Sequence, residues 1–115
     1  MPHCILEYSA PVAQQLAIDT LVALVHRGAI ESELFEPASI KSRAYCAEHY
    51  RVGEAEGADF IHITLKIMPG RTGEQKQHLM QCVDRQIASL CASVSSITME
   101  VLDIEREHYF KRLND

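Results

Sequence analysis

Hydrophobic and polar residues alternate most regularly in the middle of the chain, over residues 58–68. Four aliphatic side chains fall on one side of this segment and four other side chains on the opposite side: Ile61, Ile63, Leu65 and Ile67 against Phe60, His62, Thr64 and Lys66. A period of two residues is typical of a β-strand with one face in the core. Looser or shorter apolar runs over residues 2–8, 40–52 and 97–104 predict three further strands.

Two other segments carry the period of an amphipathic helix. From Pro11 to about residue 30, apolar side chains recur on one face: Ala17, Ile18, Leu21, Leu24 and Val25. The second helix is predicted to begin at Thr72, where Thr-x-x-Gln forms the pattern of a capping box after the Pro69-Gly70 break. Its predicted buried stripe consists of Leu79, Val83, Ile87, Leu90 and Val94.

The predicted elements follow the order β-α-β and then β-α-β, with connections at residues 31–39 and 53–57 and a charged tail at 105–115. Two such units predict an α+β fold, an α/β sandwich in which four strands form one sheet and both helices cover one face. We expect residues 1–115 to form a single domain. We also expect another subunit to cover the open sheet face, because a chain of this size buries too little surface alone.

Composition and charge exclude several classes of function. The formal net charge of -5 argues against general nucleic-acid binding, which needs a basic surface. Neither a signal peptide nor a membrane-spanning run is visible, so we expect a cytoplasmic protein that does not bind a membrane. The four cysteines and six histidines lack the spacing of a zinc site or a redox motif. We therefore expect no metal and no cofactor.

The most distinctive candidate for chemistry is Pro2, which directly follows the initiator methionine. If Met1 is removed, Pro2 carries a secondary amine. Internal residues offer no such base, because every other backbone nitrogen is part of an amide. A proline at this position commonly has no role beyond suiting methionine removal. The rest of the chain has to decide between these two interpretations.

Three blocks of sequence favour the catalytic interpretation: PH at residues 2–3, IKSR at 40–43 and FIHITLKIMPGR at 60–71. In this order they resemble the tautomerase superfamily, and within it the 5-carboxymethyl-2-hydroxymuconate delta-isomerase family. Phe110 and Lys111 add a short match in the tail. The resemblance implies a homotrimer with active sites near subunit boundaries and an amino-terminal proline as acid and base. In that family the reaction belongs to homoprotocatechuate degradation.

Three cations, Arg43, Arg71 and Lys41, are the predicted substrate-binding residues. Burial and nearby cations both lower the pKa of an amine, which would keep Pro2 unprotonated yet basic. Arginine also holds a carboxylate through two parallel hydrogen bonds, which suits a muconate-type substrate. The alternative interpretation of Arg43 is a solvent-exposed strand residue without a role in binding. Lys41 stands where the family more often has arginine, and lysine lacks the planar fork.

Arg71 directly precedes the predicted second helix. Backbone N–H groups at a helix N-terminus, together with a guanidinium, form a good seat for an anion. His62 and Lys66 share one strand face and could reach a site. For His62 we favour a structural interpretation, in which its hydrogen bonds are satisfied in the core or in an interface.

The predicted function is an isomerase or tautomerase that moves a double bond in an unsaturated hydroxy- or oxo-carboxylic acid, such as 5-carboxymethyl-2-hydroxymuconate. Its only partners are predicted to be this small carboxylate substrate and further copies of the chain. Two alternatives stay open. One is another superfamily activity, as a phenylpyruvate tautomerase, a decarboxylase or a dehalogenase, because a fold does not determine a substrate. The other is a non-catalytic oligomeric module that binds a small acid in the same cationic pocket.

Overall fold

The computed structural model describes residues 1–114. Four strands, two short 3-10 turns and three helices follow one another along the chain. They are β1 (His3–Ser9), α1 (Val12–Gln15), α2 (Ile18–Glu31), a 3-10 turn (Pro37–Ser39), β2 (Lys41–Ala47), β3 (Phe60–Ile67), α3 (Gly73–Ile87), β4 (Ser96–Asp103) and a second 3-10 turn (Arg106–His108).

The four strands form one mixed sheet in the order β2-β1-β3-β4. β1 pairs in parallel with β2, β3 pairs in parallel with β4, and the two halves meet through the antiparallel pair of β1 and β3. Each half is therefore a β-α-β unit with a helical crossover. This confirms the predicted α+β fold with two such units.

Both long helices pack against the same face of the sheet. The side chains that point to this face are almost completely buried, among them Leu6, Ile61, Ile63, Leu65 and Ile67. Leu21 and Val25 of α2 and Leu79, Val83 and Ile87 of α3 meet them in the core. The apolar faces that follow from the period of two in β3 and the period of 3.6 in the helices therefore pack together in one hydrophobic layer.

On the other sheet face, basic side chains lie in a row at the end where β1 and β2 begin and β3 ends. His3 lies opposite Lys41 of β2 on one side and Lys66 of β3 on the other, and Lys66 lies opposite Leu102 of β4. In the next row that points to this face, Arg43 pairs with Ile5. Because successive side chains alternate between faces, Pro2, next to His3, falls on the buried side of the sheet.

The two long helices cross closely at Gly28. A Cβ atom added to Gly28 would lie 2.6 Å from the Cα of Val83 on α3. Contacts this short do not occur between real side chains and backbones, so a hydrogen atom is the largest group that fits. Gly28 thus sets the distance between the two helices.

The predicted start of α3 is confirmed. Thr72 is the N-cap, and its hydroxyl accepts a hydrogen bond from the Gln75 amide at 3.1 Å, while the Gln75 side chain accepts from the Thr72 amide at 2.8 Å. Gly70 precedes this cap with φ of 114°. That conformation is open to glycine and strained for other residues, so the Pro69-Gly70 pair ends β3 and turns the chain into α3.

Two predicted boundaries were wrong. The first predicted helix is interrupted at Leu16, whose backbone is extended with φ of -150° and ψ of 160°. The break lets the Leu16 side chain reach the core, and the neighbouring Gln15 donates to the buried Asp59 carboxylate at 2.6 Å. β2 ends at Ala47 instead of residue 52, because its partner β1 ends at Ser9, which pairs with Ala47.

The end of α3 also differs from the prediction. The helix ends at Ile87, so Leu90 and Val94 lie beyond it. The segment that follows continues as turns, in which the Val94 amide bonds to the carbonyl of Cys91, three residues earlier. Both side chains nevertheless pack on the core, as the apolar period predicts. Among the described residues, no helix is long and apolar enough to cross a bilayer.

Candidate active site

Pro2 lies at the head of β1 and is fully buried. Its carbonyl accepts a hydrogen bond from the Lys41 amide at 3.1 Å, which extends the pairing of β1 with β2 to the first residues of the chain. In the chain as described, Met1 precedes Pro2, so the free amino group belongs to Met1. The predicted base therefore stands at the end of the sheet, and its ring is fixed by the core.

The amino terminus sits in a strongly cationic environment. Burial lowers the pKa of the Met1 amine, and the charges of Lys111, Lys41 and Arg71 lower the pKa further. Two of the three predicted cations, Lys41 and Arg71, thus act on this end of the chain. Lys111 comes from the tail and is an addition to the predicted set.

Arg43 is directed elsewhere, to the side chain of His3. Its Nη1 lies 3.1 Å from His3 Nδ1, and His3 Nε2 lies 2.9 Å from the hydroxyl of Tyr109. The rings of His3 and Tyr109 meet edge to face with their centroids 6.0 Å apart. These three side chains join β2, β1 and the carboxy-terminal segment on the open side of the sheet.

A cavity of about 460 Å³ opens beside these residues. Arg43 and Lys66 contribute cationic side chains to its lining, and Ile5, Leu102 and Tyr109 contribute apolar and aromatic ones. The carboxylates of Asp103 and Glu105 also line it. Ligand pockets combine apolar walls with a few well-placed polar groups in this way. The arrangement suits an acid with an unsaturated carbon chain.

Arg71 does not line this cavity. It is exposed, one of its Nη atoms donates to the carbonyl of Leu34, and its guanidinium lies 5.8 Å from the centre of the Phe35 ring. A guanidinium has five N–H donors, so this hydrogen bond leaves others for an anion. The position before the N-terminus of α3 is as predicted, and a role in substrate binding stays a prediction.

His62 has the partners expected of a structural histidine. Its Nε2 lies 2.6 Å from a Glu100 carboxylate oxygen, and its Nδ1 lies 2.6 Å from the Thr98 hydroxyl. Both partners come from β4, the neighbouring strand. His62 therefore joins β3 to β4 on the open face, and it does not line the cavity.

Three residues near the amino terminus and the cavity were not among the predicted site residues: His3, Tyr109 and Lys111. His3 stood within the PH block, but its partner on the cavity side is 106 positions away in the sequence. Tyr109 and Lys111 lie in the charged tail, which has no periodic pattern. Only the short resemblance at Phe110-Lys111 marked this segment in the sequence.

Comparisons with known proteins agree with this architecture. The family model for 5-carboxymethyl-2-hydroxymuconate isomerase matches residues 2–114. The 5-carboxymethyl-2-hydroxymuconate Delta-isomerase of Escherichia coli is 27% identical over 116 residues, which cover 99% of this chain and 91% of that protein.

Two solved structures show the same fold. A crystal structure of 5-carboxymethyl-2-hydroxymuconate delta-isomerase has a TM-score of 0.82 at 17% identity, over 99% of this chain and 89% of that one. A fused 4-OT that forms a symmetric trimer has a TM-score of 0.72 at 20% identity, over 96% of this chain and 93% of that one. The family model spans nearly the whole chain and shares its fold with these structures, so the chain belongs to the 5-carboxymethyl-2-hydroxymuconate isomerase family and is an isomerase.

Proposed function

We propose that this isomerase moves a double bond in an unsaturated hydroxy- or oxo-carboxylic acid, such as 5-carboxymethyl-2-hydroxymuconate, and that the amine of Pro2 transfers the proton. The observation that carries the proposal is the setting of the amino terminus. Pro2 is buried, and burial together with nearby cations lowers the pKa of the Met1 amine that precedes it. Removal of Met1 would place the free amine one residue further into the same surroundings.

The proposed reaction needs one group that both accepts and returns a proton. The unprotonated Pro2 amine takes a proton from the substrate, and the electron pair of the broken bond shifts the conjugated double bonds. The resulting ammonium returns that proton to a different atom of the substrate. The amine is restored, and no electrons are gained or lost. A pKa lowered toward neutrality serves both steps, because the amine is free at the start and acidic enough at the end.

The cations have two tasks in this proposal. Arg43, with Lys66 beside it, binds a substrate carboxylate in the cavity. Lys41 and Arg71 lie close to the amine and stabilise the negative charge of the dienolate as it forms. A preorganised donor to such a developing charge is typically worth about 3 kcal/mol of the barrier.

We propose further that the active form is a homotrimer. The related fused 4-OT is a symmetric trimer, and within residues 1–114 no helix of the length of α2 or α3 covers the second face of the sheet. Apolar side chains are exposed on that face and in the tail: Tyr45, Leu102, Phe110 and Leu113. A second and a third copy would bury them and enclose the cavities.

The first test follows turnover directly. Protein whose first residue is verified as Pro2 by mass spectrometry is mixed with 5-carboxymethyl-2-hydroxymuconate, and the ultraviolet absorbance of the dienol is recorded. We expect turnover by the wild type and a loss of about 100-fold in kcat for Pro2→Ala, because general acid–base catalysis contributes 10² to 10⁴. Arg43→Ala should lower kcat/KM by about 100-fold, the size of one lost oxyanion or carboxylate contact.

Two controls accompany this test. Arg85→Ala removes the same charge from the exposed side of α3 and should leave kcat and KM at the wild-type values. Protein that retains Met1 should be inactive, because its Pro2 nitrogen is an amide. Turnover that survives both Pro2→Ala and Arg43→Ala contradicts the proposed roles.

A further inference from the structure

His3 is the only side chain that contacts both Arg43 and the carboxy-terminal segment among the hydrogen bonds of residues 1–114. It lies on β1 directly after Pro2, with its ring on the open face. Lys41 and Lys66 occupy the paired positions on both sides. His3 is thus surrounded by cations, although its own ring becomes positively charged when it is protonated.

The partners of His3 determine its protonation state. A guanidinium has only donors, so Arg43 Nη1 donates and His3 Nδ1 accepts through its lone pair. A neutral imidazole then carries its hydrogen on Nε2, which donates to the Tyr109 hydroxyl at 2.9 Å. A protonated ring would turn an N–H toward the N–H of Arg43 and break this contact.

We propose that His3 is a positioning residue for Arg43: as a neutral acceptor it holds the guanidinium at the wall of the cavity without cancelling its charge. The proposal rests on the proposed function, in which Arg43 binds a carboxylate of the substrate. An aspartate at the same place would also hold Arg43, but its negative charge would compete with the substrate carboxylate. Tyr109 supports the arrangement, because its hydroxyl accepts from the Nε2–H of the tautomer that the contact with Arg43 requires.

The surroundings keep the ring neutral. Burial lowers the pKa of His3, and Arg43, Lys41, the amino terminus and Lys66 lower it further. The charged groups that face the ring or share its cavity come from β2, β3, β4, the tail and the amino terminus: Arg43, Lys41, Lys66, Asp103, Glu105 and the terminal amine. Burial and the cations act in the same direction and lower the pKa of the ring. At neutral pH the Nδ1 lone pair is therefore available to Arg43.

Three substitutions of His3 by side chains of nearly equal size test separately the hydrogen-bond acceptor and the charge at this position. His3→Asn keeps a neutral acceptor where Nδ1 stood, His3→Asp keeps an acceptor but adds a negative charge, and His3→Leu removes the acceptor. We expect KM to rise about twofold in His3→Asn and about tenfold or more in the other two, as for one lost hydrogen bond to a charged group. kcat should change by less than about threefold in His3→Asn and His3→Leu, because binding is affected and the proton transfer is not.

A purely structural role of His3 predicts a different ranking. The KM values of the three variants would then rise in proportion to their losses of stability, which urea unfolding measures for each. If His3→Leu fails to fold, the Asn and Asp pair, which is isosteric, carries the test. Equal KM values in His3→Asn and His3→Asp overturn the proposal. Tyr109→Phe should raise KM about threefold, because the Nε2–H of His3 loses its acceptor and the ring is held less firmly against Arg43.

Two further measurements do not depend on turnover. ¹⁵N NMR of the wild type should show His3 as the single Nε2–H tautomer, and the pKa of His3 should rise toward its ordinary value in Arg43→Leu. The dissociation constant of cis,cis-muconate, measured by calorimetry, should rank the His3 variants as KM does. An Nδ1–H tautomer overturns the proposal. Absence of turnover in the wild type refutes the proposed function alone, and the NMR and calorimetry results then decide the role of His3.

Discussion

Neighbouring residues at the amino terminus lie in different surroundings because they point to opposite faces of the sheet. Pro2 is buried in the core side of the sheet, while His3 next to it lies on the open face. Lys41 and Arg71 act on the terminal amine, and Arg43 acts on His3. Lys41 and Arg43 point to the same face of β2, and Lys41 acts on both the terminal amine and His3, whereas Arg43 contacts His3 directly.

Lys111 offers a test of the field at the amine. Because Lys111 lowers the pKa of the Met1 amine, and removal of Met1 would place the Pro2 amine in the same surroundings, Lys111→Gln should raise the pKa of the Pro2 amine. In a plot of kcat/KM against pH, the limb at low pH reports protonation of the amine in the free enzyme. This limb should move to higher pH, so the variant is less active than the wild type at low pH and regains its activity at high pH. The measurement is a pH–rate profile of the protein that begins with Pro2.

A matched change elsewhere serves as the control for this profile. Arg85→Gln removes one positive charge from the last turn of α3, away from the amino terminus, and should leave the limb in place. An unchanged profile in Lys111→Gln would show that the tail does not act on the base.

At the scale of elements, the crossing of α2 and α3 depends on a single missing side chain. A methyl group at Gly28 would meet the backbone of Val83, and backbone yields less readily than the end of a flexible side chain. Gly28→Ala should therefore lower the free energy of unfolding by about 1–3 kcal/mol through overpacking, despite the better helix propensity of alanine. Urea unfolding followed by circular dichroism measures this loss.

Gly73 provides the comparison for Gly28. It is the first residue of α3, and a Cβ atom there would have no atom within 4 Å. Gly73→Ala should leave stability unchanged or raise it by up to about 1 kcal/mol, since only the intrinsic preference for helix changes. Equal effects at the two glycines would contradict the close helix contact.

For the whole molecule, the exposed apolar surface determines the expected assembly. Phe110 and Leu113 are 79% and 75% exposed, and Leu102 and Tyr45 add apolar area on the open sheet face. We expect light scattering to give three times the chain mass of 12.9 kDa at micromolar concentration. Phe110→Ser combined with Leu113→Ser should shift this mass toward the monomer, because less apolar area would be buried between copies.

Ile30 is the control for the assembly test. It is also an exposed apolar residue, but it lies on α2, on the opposite side of the molecule from the open sheet face. Ile30→Ser should leave the mass of the assembly unchanged. A stable monomer in the wild type would contradict the proposed trimer.

The sequence predicted the fold in most of its elements because local periodicity and burial agree. The alternation in β3, the stripes of α2 and α3 and the capping box at Thr72 all reappear in the structure. The predictions failed where a distant partner decides the conformation. β2 stops where β1 stops, and Leu16 leaves the helix to enter the core beside the contact of Gln15 with Asp59.

The candidate site was predictable only in part. Pro2, Lys41, Arg43 and Arg71 stood out because their residue types suit proton transfer and carboxylate binding. The sequence by itself thus determined the order of the elements, the core face of each and the chemical groups at the start of the chain. The tertiary structure alone decided that Arg43 contacts His3, that Lys41, Arg71 and Lys111 act on the terminal amine, and that Tyr109 lines the cavity. Periodicity carries information about neighbours within a few residues, whereas these contacts join distant residues such as His3 and Tyr109, 106 positions apart, which only the folded sheet brings together.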